Sequence, residues 1–119
     1  MKNKLNHNNK IILFQSRKIR RVWHKDEWYY SVVDVVEALT QSPTPRQYWG
    51  KVKQREFIEI QLSPIWIQLK LESDDGKKYK TDCANTESLF RIIQSIPSKK
   101  AIQKTGLIRG LEVWRLDKS

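Results

Sequence analysis

Residues 28–39, with the sequence WYYSVVDVVEAL, limit the possible folds more than any other part of the chain. The aromatic triplet favours a strand, and so do the four valines, because aromatic and β-branched side chains suit a pleated surface. At helical pitch, however, the valines and Leu39 fall on one side, whereas Asp34, Glu37 and Ala38 fall on the other. Ser31 suits an N-cap, and Asp34 places a negative charge at the positive end of a helix. We therefore predict a strand followed by a helix over residues 32–39, which buries its apolar face on a sheet.

A second helix is predicted from residue 45 to about residue 56, after a break at residues 41–45 (QSPTP). Thr44 suits the N-cap, Pro45 suits the first helical position, and Gln47 completes a capping-box pattern. An apolar stripe runs along this helix with two cations on each side. The stripe consists of Tyr48, Trp49 and Val52, and the cations are Arg46 and Lys53 on one side and Lys51 and Arg55 on the other. Because large aromatic residues more often belong to a core than to a base-stacking platform, we assign Tyr48 and Trp49 to the core.

Several strands are predicted on either side of these helices. Between residues 11 and 30 we expect two or three antiparallel strands, the last two joined as a hairpin at the polar residues 24–27. Residues 57–72 alternate between apolar and polar side chains, which predicts strands interrupted at Ser63-Pro64. The Asp74-Asp75-Gly76 turn makes residues 69–82 a hairpin.

Two further helices complete the expected fold. Thr86 suits the N-cap of a helix over residues 87–95 that Pro97 ends, with an apolar face of Leu89, Phe90, Ile92 and Ile93. Ser98 suits the cap of a last helix from Lys99 onward, although Gly106 and Gly110 each weaken it by roughly 1 kcal/mol relative to Ala. The predicted fold class is α+β, with one domain in which a small antiparallel sheet packs with three to four short helices.

The chain carries a net charge of +10, and the charge is clustered. Residues 1–25 contain eight Lys or Arg and no acid, and residues 46–55 and 99–119 each sum to +4. Residues 26–45 sum to −4 and residues 56–98 to −2. Clustered cations suit a polyanion, because they release condensed counterions from phosphate. Nucleic acid is the favoured partner; an acidic protein, a membrane surface, or a solvated basic surface without a specific partner stay open.

The phosphate contacts are predicted first on the helix over residues 45–56, at Arg46, Lys51, Lys53 and Arg55. Arg46 lies in its first turn, beside backbone N–H groups that favour an anion. The second choices are two arginines on a strand, Arg20 and Arg21, and three lysines after the Asp-Gly turn, Lys77, Lys78 and Lys80. Because side chains alternate along a strand, Arg20 and Arg21 cannot both lie in one patch. For the strand and the hairpin, charge that only protects an edge or a turn is an equally good explanation.

No set of residues in the sequence suits catalysis, a cofactor or a metal. Cys83 is the only cysteine and His7 and His24 are the only histidines, whereas a metal site needs three or four convergent ligands. A Cys83–His24 nucleophile–base pair is conceivable, but a lone Cys before a helix is far more often a small packed residue. We therefore expect a protein that is not an enzyme and needs no cofactor. One cysteine fits a reducing cytoplasm, and no apolar run is long enough to span a bilayer.

Five pieces of the sequence, in the same order, resemble the Bro-N domain of phage antirepressors and Bro proteins over roughly residues 17–100. They are IRRVW (19–23), WYYSVVDVV (28–36), PRQYW (45–49), DGKKYKTD (75–82) and TESLFRIIQSIPSK (86–99). The resemblance implies an α+β DNA-binding domain of a phage or prophage regulator, without catalytic residues or a cofactor. Within the family it is closest to the subfamily called DNA-damage-inducible protein D, which implies a bacterial protein linked to the response to DNA damage. The antirepressor type also implies another function, as an interaction module that acts on a repressor or a recombination factor.

The resemblance also divides the chain into three parts. Residues 1–16 are expected to form a basic flexible arm and a first short strand, residues 17–100 the Bro-N-like domain, and residues 101–119 a divergent helical tail. Family members are much longer and usually continue with an aromatic-rich pattern (EPFKLW), where this chain reads IQKTGL and stops at Ser119. We therefore expect a truncated or frame-shifted member, and a non-functional remnant is a third possibility.

Overall fold

The computed structural model of the protein describes residues 11–57, 65–97, 101–114 and 116. Five strands form one antiparallel sheet, and four helices pack on it, which confirms the predicted α+β class. The strands are β1 (Ile11–Phe14), β2 (Arg17–His24), β3 (Glu27–Ser31), β4 (Ile67–Glu72) and β5 (Lys78–Asn85), in the spatial order β1-β2-β3-β5-β4. The helices are α1 (Val32–Thr40), α2 (Pro45–Glu56), α3 (Thr86–Ser95) and α4 (Ala101–Trp114). The predicted arm over residues 1–10, the interruption at Ser63-Pro64 and the Ser98 cap lie outside the described residues.

Two-residue turns connect the first three strands. In the β1–β2 turn Gln15 and Ser16 have φ angles of 51° and 68°, and in the β2–β3 turn Lys25 and Asp26 have 51° and 67°. Two successive left-handed residues match the right-handed twist of the flanking strands. The turn at residues 24–27 is therefore confirmed, although neither turn contains the glycine that such a turn prefers.

Helix α1 forms as predicted, directly after β3. The Asp34 backbone N–H donates to the Ser31 hydroxyl at 3.3 Å, so Ser31 is the N-cap. The apolar face is buried against the sheet, with Val32, Val35 and Val36 fully buried and Leu39 4 % exposed. Ala38, which we assigned to the outer face, is also buried, so α1 is covered on more than its valine side, and α2 packs against this helix.

Helix α2 also has the predicted bounds, but its start differs from the prediction. Pro45 occupies the first helical position, whereas the Thr44 side chain makes no capping hydrogen bond. The predicted capping box is therefore wrong. Trp49 and Val52 enter the core as predicted, and Tyr48 is half-buried against it.

The β4–β5 hairpin has one apolar face and one polar face. Ile67, Leu69 and Leu71 pair with Cys83, Thr81 and Tyr79, and Leu71 and Cys83 are buried. The polar face consists of the alternate pairs Gln68–Asp82, Lys70–Lys80 and Glu72–Lys78. Every residue from Asp74 to Lys80 is exposed, so the tip of the hairpin projects from the body of the domain.

The last two helices close the core. The N-cap of α3 is Asn85, whose side chain accepts from the Ser88 N–H at 2.9 Å, so the Thr86 cap was predicted one residue too late. Thr86 is instead the first helical residue and is buried. The predicted apolar face of α3 is confirmed, since Leu89, Ile92 and Ile93 are buried. Helix α4 adds the buried Leu107 and Leu111 to the same core, and Phe14 lies near Gly106 of this helix.

Candidate nucleic-acid interface

An open cleft lies between the two N-terminal helices and the β4–β5 hairpin. It consists of a larger part of about 810 Å³ and a smaller part of about 230 Å³, which share lining residues. Arg46, in the first turn of α2, lines both parts. Lys70 and Lys78 line the larger part from the hairpin, and Lys80 lines the smaller part. The cleft therefore has cations on both of its walls.

We call Arg46, Lys70, Lys78 and Lys80 the basic face. All four side chains are exposed, and none of their charged groups forms an ion pair with another described residue. Lys70 and Lys80 are directly opposite each other on adjacent strands. Like charges in that position destabilise a sheet. An anion bound between them would remove that repulsion, so this pair is the part of the face best suited to a phosphate.

Lys53 also lines the cleft, but its charge is paired with a carboxylate of the same chain. Its Nζ donates to Asp82 Oδ2 at 2.9 Å, and Trp49 Nε1 donates to the same oxygen at 2.9 Å. The Asp82 side chain is only 9 % exposed, and burial alone would raise its pKa. The hydrogen bonds from Lys53 and Trp49 outweigh that effect, so the pKa of Asp82 lies below its ordinary value. Lys53 therefore fastens α2 to β5.

Arg20 connects three elements from the floor of the cleft. Its Nε and Nη2 donate to the two carboxylate oxygens of Asp34 in α1, at 2.8 and 3.1 Å. Its Nη1 donates to the Glu72 carbonyl of β4 at 3.1 Å. The hydrogen bond to Asp34 raises the pKa of Arg20 despite partial burial. With 24 % of its side chain exposed, this arginine has the geometry of a structural bridge between β2, α1 and β4.

The structure removes Arg21 from the candidates for DNA contact. Its side chain is 1 % exposed, and its guanidinium carbon lies 3.8 Å from the centre of the Trp28 ring. Nη1 also lies 3.5 Å from the Trp114 carbonyl. The alternation along β2 turns Arg21 into the core on the side opposite Arg20, so a guanidinium that sequence reasoning placed on the surface is a core group.

The remaining predicted cations lie away from the centre of the cleft. Lys51 and Arg55 are exposed on α2 but do not line the cleft, and Arg55 pairs with Glu56 at 2.7 Å. Lys77 belongs to the hairpin turn, where its backbone N–H donates to Asp75 at 2.8 Å. Of the nine predicted site residues, the cleft thus brings together the side chains of Arg20, Arg46, Lys53, Lys78 and Lys80, whereas Arg21 lies along its lining with a side chain buried in the core. Among the described residues, Arg46, Lys78 and Lys80 form no ion pair.

Lys70 is the functional candidate that sequence reasoning missed. A signal for it was present, because the period-two pattern of residues 67–72 puts Lys70 on the polar side of its strand. The DDG turn then sets the register that places this lysine opposite Lys80. Reading the hairpin as a pair of strands, instead of one strand at a time, would have found it.

Cys83, which the sequence analysis considered as a conceivable nucleophile, is a packed residue in the structure. Cys83 is fully buried in β5, and this burial raises the pKa of its thiol to about 12. Within the described residues, no three His, Cys, Asp or Glu side chains form a group that could hold a metal ion. None of the helices in that part of the chain has the length and apolar composition needed to cross a membrane.

A comparison with models of known protein families identifies the family of this chain. The model of the BRO family N-terminal domain, Bro-N, matches residues 18–108, which is well over half of the chain. The chain belongs to the Bro-N family. Bro-N domains are DNA-binding N-terminal domains of phage antirepressor-type proteins, which makes DNA the partner of the family. A search of curated proteins and a search of solved structures gave no significant match.

Proposed function

We propose that this chain binds DNA through the basic face, with Arg46, Lys70, Lys78 and Lys80 in contact with phosphates. The observation that carries the proposal is the convergence, on the two walls of one cleft, of four exposed cations that form no ion pair with another described residue. Two of them, Lys70 and Lys80, are opposite each other on adjacent strands, where their repulsion favours an anion between them. Each phosphate contact adds roughly 0.9 to the slope of log affinity against log salt.

The biological setting that we propose is a regulator of prophage type or of the DNA-damage response, as in the subfamily of DNA-damage-inducible protein D. The sequence pieces that resemble this subfamily support the setting. The proposed role is not enzymatic, since holding a phosphate backbone requires only charge and position. In this proposal the chain acts by binding DNA, and its cations are the residues that contact the phosphates.

A charge-matched pair of variants tests the proposal. The first variant carries Arg46→Gln, Lys78→Gln and Lys80→Gln; the control carries Lys51→Gln, Arg91→Gln and Arg109→Gln, three exposed cations outside the cleft. Both lose three positive charges, so only position differs. With fluorescence anisotropy at about 0.1 M salt, we expect the first variant to lose roughly eightfold in affinity per lost contact. Equal losses in the two variants would show that net charge, and not the basic face, governs binding.

Lys53 is left out of the test variant for a structural reason. Replacing it by Ala would leave the nearly buried Asp82 carboxylate without its cation, so a change in DNA affinity could reflect damage to the fold.

One observation favours a second candidate function, as a module that binds a repressor or a recombination protein. Strand β1 is at the edge of the sheet, carries no charge, and exposes 52 % of Ile11 and 64 % of Leu13. Edge strands are usually guarded by charged residues, and an unguarded apolar edge accepts an added strand from a partner. Leu13→Lys would place a charge on this edge. If that variant keeps its DNA affinity but no longer binds a candidate repressor, β1 is a protein-binding edge; unchanged repressor binding would exclude it.

A further inference from the structure

Strand β1 turns one face to the core and leaves the other face open. Ile12 and Phe14 are partly buried against the core cluster, and the Phe14 ring lies near Gly106 of α4. Ile11 and Leu13 alternate with them and are 52 % and 64 % exposed. Because side chains at i and i+2 leave a strand on the same side, Ile11 and Leu13 stand together on the open face, and we call them the apolar pair.

The open face of β1 borders the cleft. Ile11 is opposite Arg20 and Leu13 is opposite Lys18 on the neighbouring strand, and residues that are opposite each other share one face of a sheet. Arg20 reaches Asp34 from this face, at the floor of the cleft. Ile11 and Lys18 both line the larger part of the cleft. The β1–β2 hairpin therefore contributes a wall of its own, and the apolar pair stands on it.

The charges around the apolar pair indicate that DNA, and not an apolar protein surface, covers it. Lys18 is exposed and Arg17 is half-buried, and neither forms an ion pair with another residue in the described part of the chain. Both line the larger part of the cleft together with Lys70 and Lys78 of the β4–β5 hairpin. A polyanion held by these four cations would lie against the wall that carries the apolar pair.

The larger part of the cleft is not purely cationic, which gives a non-electrostatic contact a use there. Three carboxylates, those of Glu37, Glu72 and Asp74, line it together with the cations. A carboxylate repels a phosphate, so part of the attraction from the cations is cancelled. Apolar side chains bind DNA in another way, by contact with thymine methyl groups or by insertion between base steps in a groove.

We infer that Ile11 and Leu13 contact the apolar surface of a DNA groove when phosphates occupy the basic face. The inference rests on the proposed DNA binding and adds to it a contact of a different physical kind. Covering the apolar pair removes apolar area from water and releases no counterions. Its contribution to affinity is therefore nearly the same at low and at high salt, unlike that of a lysine on a phosphate.

Anisotropy titrations of the full chain over a range of salt concentrations test the inference. The probes are a mixed-sequence duplex of about 20 base pairs and one of its strands, and the series uses the probe that the wild type binds more tightly. The test variant is Leu13→Ala. Its matched control is Leu116→Ala, which removes the same atoms from a side chain that is 72 % exposed and does not line the cleft. Leu13→Met keeps an apolar side chain of similar volume.

Leu13→Ala should lose roughly fivefold or more in affinity at every salt concentration, less than complete burial of a leucine would give, because a groove covers the side chain in part. The slope of log affinity against log salt should stay at the wild-type value, since no cation is removed. Leu116→Ala and Leu13→Met should stay within about twofold of the wild type. Ile11→Ala, on the same face, should repeat the pattern of Leu13→Ala. A thermal melt of each variant checks that the fold is kept.

Three results would overturn the inference and leave the basic face in place. The first is the same affinity in Leu13→Ala and Leu116→Ala, which would leave β1 at most a protein-binding edge. The second is a loss that disappears at high salt together with a smaller slope, which would show that the residue acts only through a neighbouring cation. The third is an equal loss in Leu13→Met and Leu13→Ala. If the wild type binds neither probe, the inference and the proposed function both fail.

Discussion

Replacing Arg20 tests whether this arginine is a structural bridge or a DNA contact. In Arg20→Gln, Asp34 loses the Nε and Nη2 hydrogen bonds and keeps the backbone N–H of residue 20, which lies 2.9 Å from Oδ2. The two side chains are 24 % and 14 % exposed, so water reaches the orphaned carboxylate only in part. Breaking a fully buried pair costs about 3–5 kcal/mol, and we discount this for exposure to about 2 kcal/mol.

The assay is chemical and thermal denaturation at pH 7. For a chain of this size, about 2 kcal/mol corresponds to a fall in Tm of roughly 8 °C. Lys18→Gln on the same strand, an exposed cation, is the control and should change stability by less than about 0.5 kcal/mol. The double variant Arg20→Gln with Asp34→Asn should be no less stable than Arg20→Gln, because it also removes the unpaired charge.

DNA binding of the folded Arg20→Gln protein provides the second half of this test. Because the guanidinium is engaged by Asp34 and Glu72, we expect the salt slope of binding to change by much less than the roughly 0.9 of one phosphate contact. The bridge is refuted if Arg20→Gln is as stable as the wild type, or if it lowers the slope by a full contact.

Two further predictions concern stability. Because the pKa of Asp82 is lowered in the folded state, its stabilising effect is present above the unfolded pKa of about 3.9 and is lost as the pH falls through the folded value. Asp82→Asn should therefore cost stability at pH 7 and progressively less below about pH 4, and a pH-independent cost would contradict this. In the β2–β3 turn, Lys25→Asn with Asp26→Gly should stabilise by about 1 kcal/mol, because both positions are left-handed; a lower Tm would show that the present turn residues make contacts that matter.

Most of the fold followed from local patterns in the sequence. The helical period of residues 32–39 outweighed the strand preference of the valines, because Ser31 and Asp34 supply a cap and a favourable charge at the point where β3 ends. The DDG turn fixed the β4–β5 hairpin and its register. The errors were local: Asn85 instead of Thr86 caps α3, and Thr44 makes no capping bond, because several residues near a helix start could serve and packing selects among them.

The candidate site was less predictable, because ion pairing joins residues that are far apart in the chain. Lys53 and Asp82 are 29 positions apart, and Arg20 and Asp34 are 14 apart, so neither pair has a sequence signal. Alternation correctly predicted that Arg20 and Arg21 separate, but it could not predict that the buried side would receive Arg21. The sequence therefore identifies the cations, whereas only the fold shows which of them form internal ion pairs and which are available to contact DNA.

The most direct test of the account is the salt dependence of DNA binding by the two charge-matched variants. Log Kd is measured against log salt for the wild type, for the variant of Arg46, Lys78 and Lys80, and for the control variant of Lys51, Arg91 and Arg109. Three lost phosphate contacts should reduce the magnitude of the slope by about 2.7 in the first variant and leave it unchanged in the control. The same slope in both variants, whether reduced or not, would contradict the assignment of the basic face.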